Sequence, residues 1–387
     1  MIKRELSAKI NNLKSKYPVI LLTGPRQSGK TTLIKDIFSN HTYKNLENPD
    51  EKMLATEDPR SFLNLGSKEK IIIDEIQEVP QLASYIQVAV DENKIPSQFV
   101  LTGSQNFQIS QTVSQSLAGR VANFELLPLS YNELRSTYSI ADLNNYILDG
   151  SYPRKYDKKI SPSDFYRDYL NTYVTRDVRS LKNIGNLSNF QKFLQLLAGR
   201  VGQILNLSSL SNDLGVSVKT IESWVCVLEA SYIAFRLQPY FENFGKRVIK
   251  SPKIYFYDTG LVCFLLGIDS VNELESHFIY GHLFENVIIS EQLKKIWNKR
   301  ANEKLYFWRD THGNEVDLLI DKGLDKEILE IKSGKTYHAD MLKGLHNLTT
   351  IMNTKYNLKS FLIYRGDLEQ KINGTDLVNW RSFIELR

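Results

Sequence analysis

Short apolar runs alternate with segments of helical spacing over the first third of the chain. Residues 18–23 (PVILLT), 70–77 (KIIIDEIQ) and 99–104 (FVLTGS) each carry an apolar run of strand length, and TLIKDIF, which follows the first of them closely, has helical spacing. The three consecutive isoleucines of the second run favour a parallel strand that is covered on both faces. This alternation predicts an α/β domain.

Helical spacing then dominates the middle of the chain. Aromatic side chains recur at three- and four-residue spacing over residues 130–181, and we expect them in a helical core rather than on a binding surface. Residues 205–239 predict a short helix, a turn at Gly215, a second helix capped by Ser217 and a strand, which is the order of a winged helix-turn-helix. Such a module contacts either DNA or a protein partner, and the sequence leaves both open.

Strand patterns return in the last third. Residues 305–321 predict two strands joined by a turn, and residues 327–333 (EILEIKS) predict a third strand. Glu330 and Lys332 share one face of that third strand because they are two residues apart. Asp317 on the preceding strand, followed by Glu-x-Lys, is the arrangement of PD-(D/E)xK nucleases.

That arrangement predicts a metal-dependent site. Asp317 and Glu330 are expected to bind one or two Mg²⁺ ions, and Lys332 to activate water or stabilise the charge of the transition state. Glu285, near the start of a predicted helix, is a further candidate metal ligand. The alternative is that these are ordinary charges on exposed strand faces, since a nuclease-like fold does not by itself establish cleavage.

A phosphate-binding loop follows the first apolar run. Residues 24–31 (GPRQSGKT) fit G-x-x-x-x-G-K-[ST] between a strand and a helix, which is the context that this motif requires. The two glycines let successive backbone N–H groups point inward at a helix N-terminus, where they cradle phosphate. We expect Lys30 to reach the β- and γ-phosphates of ATP and the Thr31 hydroxyl to complete the shell of a Mg²⁺ ion. The predicted nucleotide-binding residues are Gly24, Pro25, Arg26, Gln27, Ser28, Gly29, Lys30, Thr31, Thr32 and Asp74.

Two acids at the end of the second apolar run supply the matching half of the site. Asp74 is predicted to hold Mg²⁺, directly or through water, and Glu75 to orient or deprotonate the attacking water. Arg120 is a candidate finger for the γ-phosphate of a neighbouring subunit, because a guanidinium spreads its donors over several oxygens. A surface salt bridge is the equally weighted alternative for Arg120.

Composition narrows the class of protein. The 387 residues are 42% hydrophobic and 24% charged, as in globular proteins of two or three domains. The N-terminus MIKRELSAKI lacks the apolar core of a signal peptide and no apolar stretch approaches a membrane span, so we expect a cytoplasmic protein without a membrane partner. Two cysteines exclude a disulfide framework, and a net charge of +5 is too small to indicate nucleic-acid binding by itself.

The motifs GPRQSGKT, IIIDEIQ, LTGSQ and SLAGR followed by ELLPLS resemble, in this order, a prokaryotic family of AAA+ ATPases related to the STAND, Orc-related and archaeal P-loop ATPases. KIYFYDTGL, LYFWR, G-x-EVD and E-x-K likewise resemble the restriction-endonuclease-like C-terminal region of that family. The resemblance implies an αβα core with ATP at the carboxyl ends of the strands. It also implies a γ-phosphate sensor at Ser104 or Thr102, for which the alternative is that both are turn residues at the end of a strand. It further implies a nucleotide-contacting lid arginine, for which Arg154 and Arg176 are candidates.

We therefore predict a P-loop AAA+ core over residues 1–130, a helical lid and winged helix over 131–250, and a restriction-endonuclease-like α/β domain over 251–387. The predicted function is a Mg²⁺-dependent ATPase coupled to a nuclease-like region that interacts with DNA. The alternative is an ATP-dependent switch or scaffold whose nuclease-like domain is catalytically silent and binds protein or nucleic acid. Predicted partners are ATP, DNA and, through the Arg120 finger, further copies of the chain.

Overall fold

The structure is a computed structural model, and it describes residues 2–104, 116–138, 142–173, 187–241, 250–352 and 355–386. Within these ranges, none of the helices combines the length and the apolarity that crossing a membrane requires. The Arg176 candidate lies outside the described residues.

A five-stranded parallel sheet forms the first α/β unit, with strand order β2-β3-β4-β1-β5. Because β4 lies between β1 and β3, the end of β4 separates the P-loop after β1 from the acids after β3. The strands are β1 (Val19–Thr23), β2 (Thr42–Asn45), β3 (Ile71–Asp74), β4 (Phe99–Gly103) and β5 (Val121–Glu125).

Helices cover both faces of this sheet. Side chains of successive strand residues point to opposite faces, so neighbouring residues of one strand pack in different cores. Val19 and Leu21 of β1 pack in one hydrophobic core, and Ile20 and Leu22 pack in another. The predicted α/β core with a parallel sheet is therefore confirmed. Its helices are α1 (Leu6–Leu13), α2 (Lys30–Ile37), α3 (Pro49–Glu57), α4 (Pro59–Phe62) and α5 (Leu82–Asn93), with a 3₁₀ turn at Ile76–Glu78.

Short helices make up the described part of the middle region, as the spacing predicts. Their bounds are α6 (Tyr131–Arg135), α7 (Leu143–Asp149), α8 (Pro153–Lys158), α9 (Pro162–Tyr173), α10 (Leu187–Ala198), α11 (Leu207–Leu214) and α12 (Val218–Ala230). Between α11 and α12, Gly215 has φ +64° and the Ser217 hydroxyl accepts a hydrogen bond from the N–H of Thr220 at 3.1 Å. The predicted apolar face of α12, which includes Ile221 and Trp224, is buried. A helix, a turn, a helix and a strand thus occur where the sequence predicts them.

The remaining strands form one mixed sheet of order β12-β13-β11-β10-β9-β8-β6-β7. β9 runs antiparallel to both of its neighbours, β8 and β10. β11 runs parallel to both of its neighbours, β10 and β13. This sheet continues across the boundary predicted at residue 250, since β6 pairs with both β7 and β8. The strands are β6 (Ala234–Pro239), β7 (Lys253–Phe256), β8 (Lys304–Arg309), β9 (Glu315–Lys322), β10 (Asp325–Lys332), β11 (Asn357–Tyr364), β12 (Gln370–Ile372) and β13 (Thr375–Asn379).

One long helix, α15, connects the mixed sheet to the middle region. On it, Glu291 accepts hydrogen bonds from the N–H of Tyr131 at 2.8 Å and the hydroxyl of Tyr146 at 2.7 Å. Asp258 caps α13 through the N–H of Leu261 at 3.0 Å, the helix-capping role expected of an aspartate after a strand. The last helices are α13 (Thr259–Leu265), α14 (Val271–Ser276), α15 (Tyr280–Lys299), α16 (Lys343–Met352) and α17 (Trp380–Leu386), with a 3₁₀ turn at Ala339–Leu342.

Candidate functional site

The loop between β1 and α2 has the tight turns that its two glycines predict. Gly24 has φ +148°, and a Cβ atom there would lie 2.2 Å from the carbonyl oxygen of Leu126. Gly29 has φ +92° and precedes the first residue of α2. The buried Lys30 side chain lies within the loop, and its ammonium donates to the carbonyl oxygens of Gly24 at 3.0 Å and Pro25 at 2.8 Å. The loop therefore holds the Lys30 ammonium beside the N-terminus of α2, so both can attract the same anion.

Three hydroxyl groups surround the carboxylate of Asp74 at the end of β3. The Thr31 hydroxyl donates to Oδ2 at 2.9 Å and the Tyr43 hydroxyl donates to the same oxygen at 2.7 Å. The Thr102 hydroxyl, from β4, donates to Oδ1. Burial and the Asp74 carboxylate raise the pKa of Tyr43, which keeps its hydroxyl protonated as a donor.

The Thr31 and Asp74 pair fits a magnesium ion. Both supply oxygen atoms, which Mg²⁺ prefers, and neighbouring ligands of an octahedral Mg²⁺ lie about 3 Å apart. The observed separation of Thr31 Oγ1 and Asp74 Oδ2 is 2.9 Å. These two side chains are the ones that would hold Mg²⁺ at this site.

Glu75 is held beside Asp74 but faces other partners. It adopts the left-handed conformation with φ +58°, which turns the chain sharply after β3. Its Oε2 accepts hydrogen bonds from the Ser104 hydroxyl at 3.2 Å and from the side-chain amide of Gln77. Its N–H donates to the Thr102 hydroxyl at 3.3 Å. Thr102 thus contacts Asp74, and Ser104 contacts Glu75.

A cleft of about 600 Å³ opens over this loop. Residues of the P-loop and the start of α2 line one part of it, and Glu75 and residues of α8 and α9 line the rest. Gly24, Pro25, Ser28 and Asp74 are not among the residues that line the cleft. The lining residues are Arg26, Gln27, Gly29, Lys30, Thr31, Thr32, Glu75, Pro153, Arg154, Asp157, Lys158 and Thr172.

Arg120 lies apart from this cleft. Its carbonyl oxygen accepts from the N–H of Val19 at 3.2 Å, which places it at the amino end of β1, the opposite edge of the sheet from the P-loop. Its guanidinium forms a two-pronged ion pair with Asp91, with Nη2 at 2.9 Å from Oδ2. The salt bridge exists within the chain, and the role of Arg120 toward a neighbouring subunit stays a prediction.

The predicted residues of the C-terminal site converge on one face of the mixed sheet. Lys332 Nζ lies 2.5 Å from Glu330 Oε1 and 3.7 Å from Asp317 Oδ2. Asp317 Oδ2 also accepts the N–H of Ile331 at 2.8 Å, which joins β9 to β10 beyond their ladder. Glu285 reaches the same cluster from the first turns of α15, and the three carboxylates are buried.

A second lysine, Lys253 on β7, stands among these carboxylates. Its ammonium lies 3.0 Å from Glu285 Oε1, 2.5 Å from Glu315 Oε1 and 3.9 Å from Asp317 Oδ1. The Tyr255 hydroxyl, two residues along β7, also donates to Glu285. We refer to Lys253, Glu285, Glu315, Asp317, Glu330 and Lys332 as the carboxylate cluster.

Burial and mutual repulsion set the protonation of this cluster. Burial, and next the charge of Glu285, raise the pKa of Asp317. Burial, and next the charge of Asp317, raise the pKa of Glu330, whose Oε2 atom is buried without a hydrogen-bond partner. For Glu285, burial acts to raise the pKa, but the charge of Lys253 and the hydrogen bonds from His282, Tyr255 and Lys253 together outweigh it and lower the pKa.

The carboxylate cluster does not form a metal site as it stands. The Lys253 ammonium lies between Glu285 and Asp317, where their oxygen atoms would have to approach a cation to about 2.0–2.6 Å. Throughout the described ranges, no three His, Cys, Asp or Glu side chains are grouped so that they could hold a metal ion. The metal-ligand roles of Glu285, Asp317 and Glu330 stay predictions.

Five residues of these sites were not predicted from the sequence. Tyr43 and Gln77 contact the two acids of the P-loop site, and Lys253, Tyr255 and Glu315 belong to or contact the carboxylate cluster. One signal was available for two of them. Lys253 and Tyr255 are two residues apart in a strand, which places them on one face.

Comparisons with family models divide the chain into three consecutive matches. Residues 16–135 match an AAA domain. Residues 140–272 and 280–383 match two domains of unknown function, DUF8612 and DUF4143. The P-loop, Asp74, Glu75 and Ser104 all lie within the first match, and the three predicted acids of the carboxylate cluster lie within the third.

Several relatives extend over most of the chain. An uncharacterized protein of Mycobacterium tuberculosis is 33% identical over 338 residues, which cover 86% of this chain and 74% of the mycobacterial protein. An uncharacterized protein of Haemophilus influenzae is 24% identical over 397 residues, covering 92% of each chain.

Solved structures show weaker likeness. The Walker-type ATPase PABY2304 of Pyrococcus abyssi is 14% identical, with a TM-score of 0.45, over 68% of this chain and 96% of its own. AMPPCP-bound DnaA from Aquifex aeolicus is 13% identical, with a TM-score of 0.30, over 58% of this chain and 85% of its own. The sequence matches therefore carry the assignment: the chain belongs to the family of the mycobacterial protein and contains an AAA-type P-loop ATPase domain.

Proposed function

We propose that this protein binds and hydrolyses ATP with Mg²⁺ and uses the nucleotide cycle to reposition its C-terminal region. The observation that carries the proposal is the contact of Thr31 with Asp74 beside the P-loop, with Glu75 held next to them by Ser104. An oxygen pair for Mg²⁺, a lysine for phosphate and a carboxylate for water are the parts that ATP hydrolysis needs.

Each side chain then has a defined task. Lys30 would exchange the carbonyl oxygens of Gly24 and Pro25 for phosphate oxygens, keeping its ammonium at the helix N-terminus. Mg²⁺, when bound, supplies positive charge to the β- and γ-phosphates. Glu75 would accept a hydrogen bond from the attacking water, while Ser104 keeps its carboxylate oriented. Arg154, which lines the cleft, would contact the phosphates when the lid closes.

Two buried contacts support coupling between the P-loop and the rest of the chain. Arg4 donates to the carbonyl oxygen of Ser28 at 2.6 Å and forms an ion pair with Glu133 of α6 at 3.1 Å. The Tyr232 hydroxyl, after α12, lies 3.1 Å from the Thr23 hydroxyl at the end of β1. A shift of the loop backbone upon nucleotide binding would therefore act on α6 and on the segment that leads to β6.

The ATP proposal is tested by nucleotide binding and phosphate release. Lys30→Ala should abolish binding, and Glu75→Gln should retain bound ATP while lowering hydrolysis by about 100-fold. Lys16→Ala and Glu92→Gln, which change exposed residues of the same domain, should leave both unchanged. Hydrolysis at the full rate by Glu75→Gln would contradict the role of Glu75. Mixing Arg120→Ala with Lys30→Ala chains tests the finger, and we expect partial recovery of hydrolysis.

Metal-dependent cleavage of nucleic acid is the second candidate. The convergence of Asp317, Glu330 and Lys332 favours it, whereas the Lys253 ammonium beside Asp317 opposes it. The test is incubation with Mg²⁺ or Mn²⁺, with and without ATP, on linear, single-stranded and branched DNA and on RNA. Cleavage by the wild type and not by Lys332→Ala would support a nuclease. Absence of cleavage by both, together with ATP hydrolysis, would support the ATP-dependent switch with a silent C-terminal domain.

A further inference from the structure

Lys253 occupies an unusual position for a lysine. Its side chain is only 4% exposed, and its ammonium contacts carboxylates from two different elements, Glu285 of α15 and Glu315 of β9. Burying an ammonium is unfavourable unless it is paired, so the surrounding acids are what keep it charged. The packing of Phe307, whose ring centroid lies 5.6 Å from the ammonium, closes another side of the pocket.

The same position has the surroundings that a divalent cation would require. Glu285 and Asp317 approach it from a helix and from a strand, and Tyr255 adds a hydroxyl to Glu285. On the other side of Asp317, Lys332 binds Glu330. The two ammonium groups therefore alternate with the carboxylates, and each of these acids has a cation within 4 Å.

We infer that the Lys253 ammonium is the resident cation of the carboxylate cluster and takes the place that a divalent metal ion would occupy. A metal ion that entered between Glu285 and Asp317 would leave the ammonium with Glu315 alone and would place two cations side by side in a buried cluster, which is unfavourable. The cluster is thereby assembled without a metal. It holds α15 against β7, β9 and β10 through charge pairs that belong to the chain itself.

This inference is independent of the ATPase proposal, and the test is arranged to keep the two apart. All chains carry Asp74→Asn, which removes the metal ligand of the P-loop site, and no nucleotide is present. Binding of Mn²⁺ is followed through the electron paramagnetic resonance signal of the free ion. ATP hydrolysis is not measured, so failure of one proposal does not affect the other.

In the Asp74→Asn chain, adding Asp317→Asn should not change the binding of Mn²⁺ at concentrations up to about 1 mM. Adding Lys253→Met should create one Mn²⁺ site per chain, with a Kd at least about tenfold below 1 mM. Adding Asp317→Asn to that variant should remove the site. Lys326→Met is the matched control, because Lys326 is equally buried on β10 and pairs with Asp321 at 2.6 Å outside the cluster. It should create no site.

Two results would overturn the inference. One is Mn²⁺ binding by the Asp74→Asn chain that Asp317→Asn weakens while Lys253 is present. The other is a folded Lys253→Met chain that gains no Mn²⁺ site. If Lys253→Met does not fold, the double variant Lys253→Met with Glu315→Gln takes its place, because it removes one charge of each sign. Its Mn²⁺ binding with and without Asp317→Asn then decides whether the site has formed.

Discussion

Two sets of acids, one after β3 and one on a face of the mixed sheet, differ in the groups that face them. At the P-loop, Asp74 accepts hydrogen bonds from the hydroxyls of Thr31, Tyr43 and Thr102. In the carboxylate cluster, the ammonium groups of Lys253 and Lys332 stand among the acids. A hydroxyl orients a carboxylate without neutralising it, whereas an ammonium cancels its charge.

This difference separates a site for a transient cation from a site with a permanent one. A hydroxyl can rotate and offer its own lone pairs to a metal ion, so Thr31 and Asp74 can exchange one partner for another as nucleotide enters and leaves. A buried ammonium has no such freedom, because its removal leaves uncompensated charge. The first arrangement suits a cycle, and the second suits a fixed connection between elements.

We expect the largest difference between the two sites when one carboxylate charge is removed from each of them. Glu285→Gln should lower the free energy of unfolding by about 2–4 kcal/mol, because Lys253 stays buried with fewer partners. Asp74→Asn should leave the melting temperature nearly unchanged while lowering Mg²⁺-dependent ATP hydrolysis by about 100-fold. Thermal unfolding and phosphate release measure the two effects.

The opposite pattern would reverse the assignment of the two sites. If Glu285→Gln left the melting temperature unchanged and Asp74→Asn lowered it by several degrees, the P-loop acid would be the structural one. Glu327→Gln serves as the control for an amide on the mixed sheet, because Glu327 pairs with Lys322 at 3.0 Å on β10 and lies outside the carboxylate cluster.

A second prediction concerns pH. The folded chain raises the pKa of Glu330 through burial and the charge of Asp317, so the folded state holds this proton more tightly than the unfolded chain. The free energy of unfolding should therefore fall as the pH rises from the ordinary carboxyl range toward the raised pKa. Glu330→Gln should flatten this decline by about 1–2 kcal/mol between pH 5 and pH 8, since each pKa unit corresponds to about 1.4 kcal/mol.

Melting temperatures of the wild type, Glu330→Gln and Glu327→Gln at several pH values make the measurement. The acids facing Glu330 are Asp317 and Glu285. The pKa of Asp317 is raised to about 6, so Asp317 adds to the decline within this window in the wild type and in both variants, whereas the lowered pKa of Glu285 places its titration below the window. An unchanged slope in Glu330→Gln would show that Glu330 has an ordinary pKa in the folded chain.

The P-loop site could be predicted from sequence because its parts have local signatures. The loop is a contiguous motif, and Asp74 and Glu75 follow directly on three buried isoleucines. Tyr43 has no such signature. It reaches Asp74 only because β2 lies beside β3, with Asn45 opposite Asp74, and strand order is a property of the whole sheet.

The carboxylate cluster shows the same limit more strongly. Asp317, Glu330 and Lys332 lie on adjacent strands joined by a short turn, so their spacing predicts that they meet. Lys253 is far from them along the chain and reaches them because β6 joins β7 to the rest of the mixed sheet. The spacing of Lys253 and Tyr255 places both on one face of β7, but it does not show which acids that face meets. The sequence therefore predicted three of the four acids of the cluster and one of its two cations.

The smallest predicted effect tests whether hydroxyls really leave Asp74 available to a cation. The Tyr43 hydroxyl donates to the same Oδ2 atom that Thr31 contacts, and it competes with Mg²⁺ for that atom. Tyr43→Phe should therefore lower the Mg²⁺ concentration for half-maximal ATP hydrolysis by about two- to fivefold, as expected from the loss of one modest hydrogen bond. Tyr17→Phe, a partly buried tyrosine beside β1, is the control. A higher Mg²⁺ requirement in Tyr43→Phe would mean that Tyr43 orients Asp74 for the metal rather than competing with it, and hydroxyl partners would then be as fixed in their role as the lysines of the carboxylate cluster.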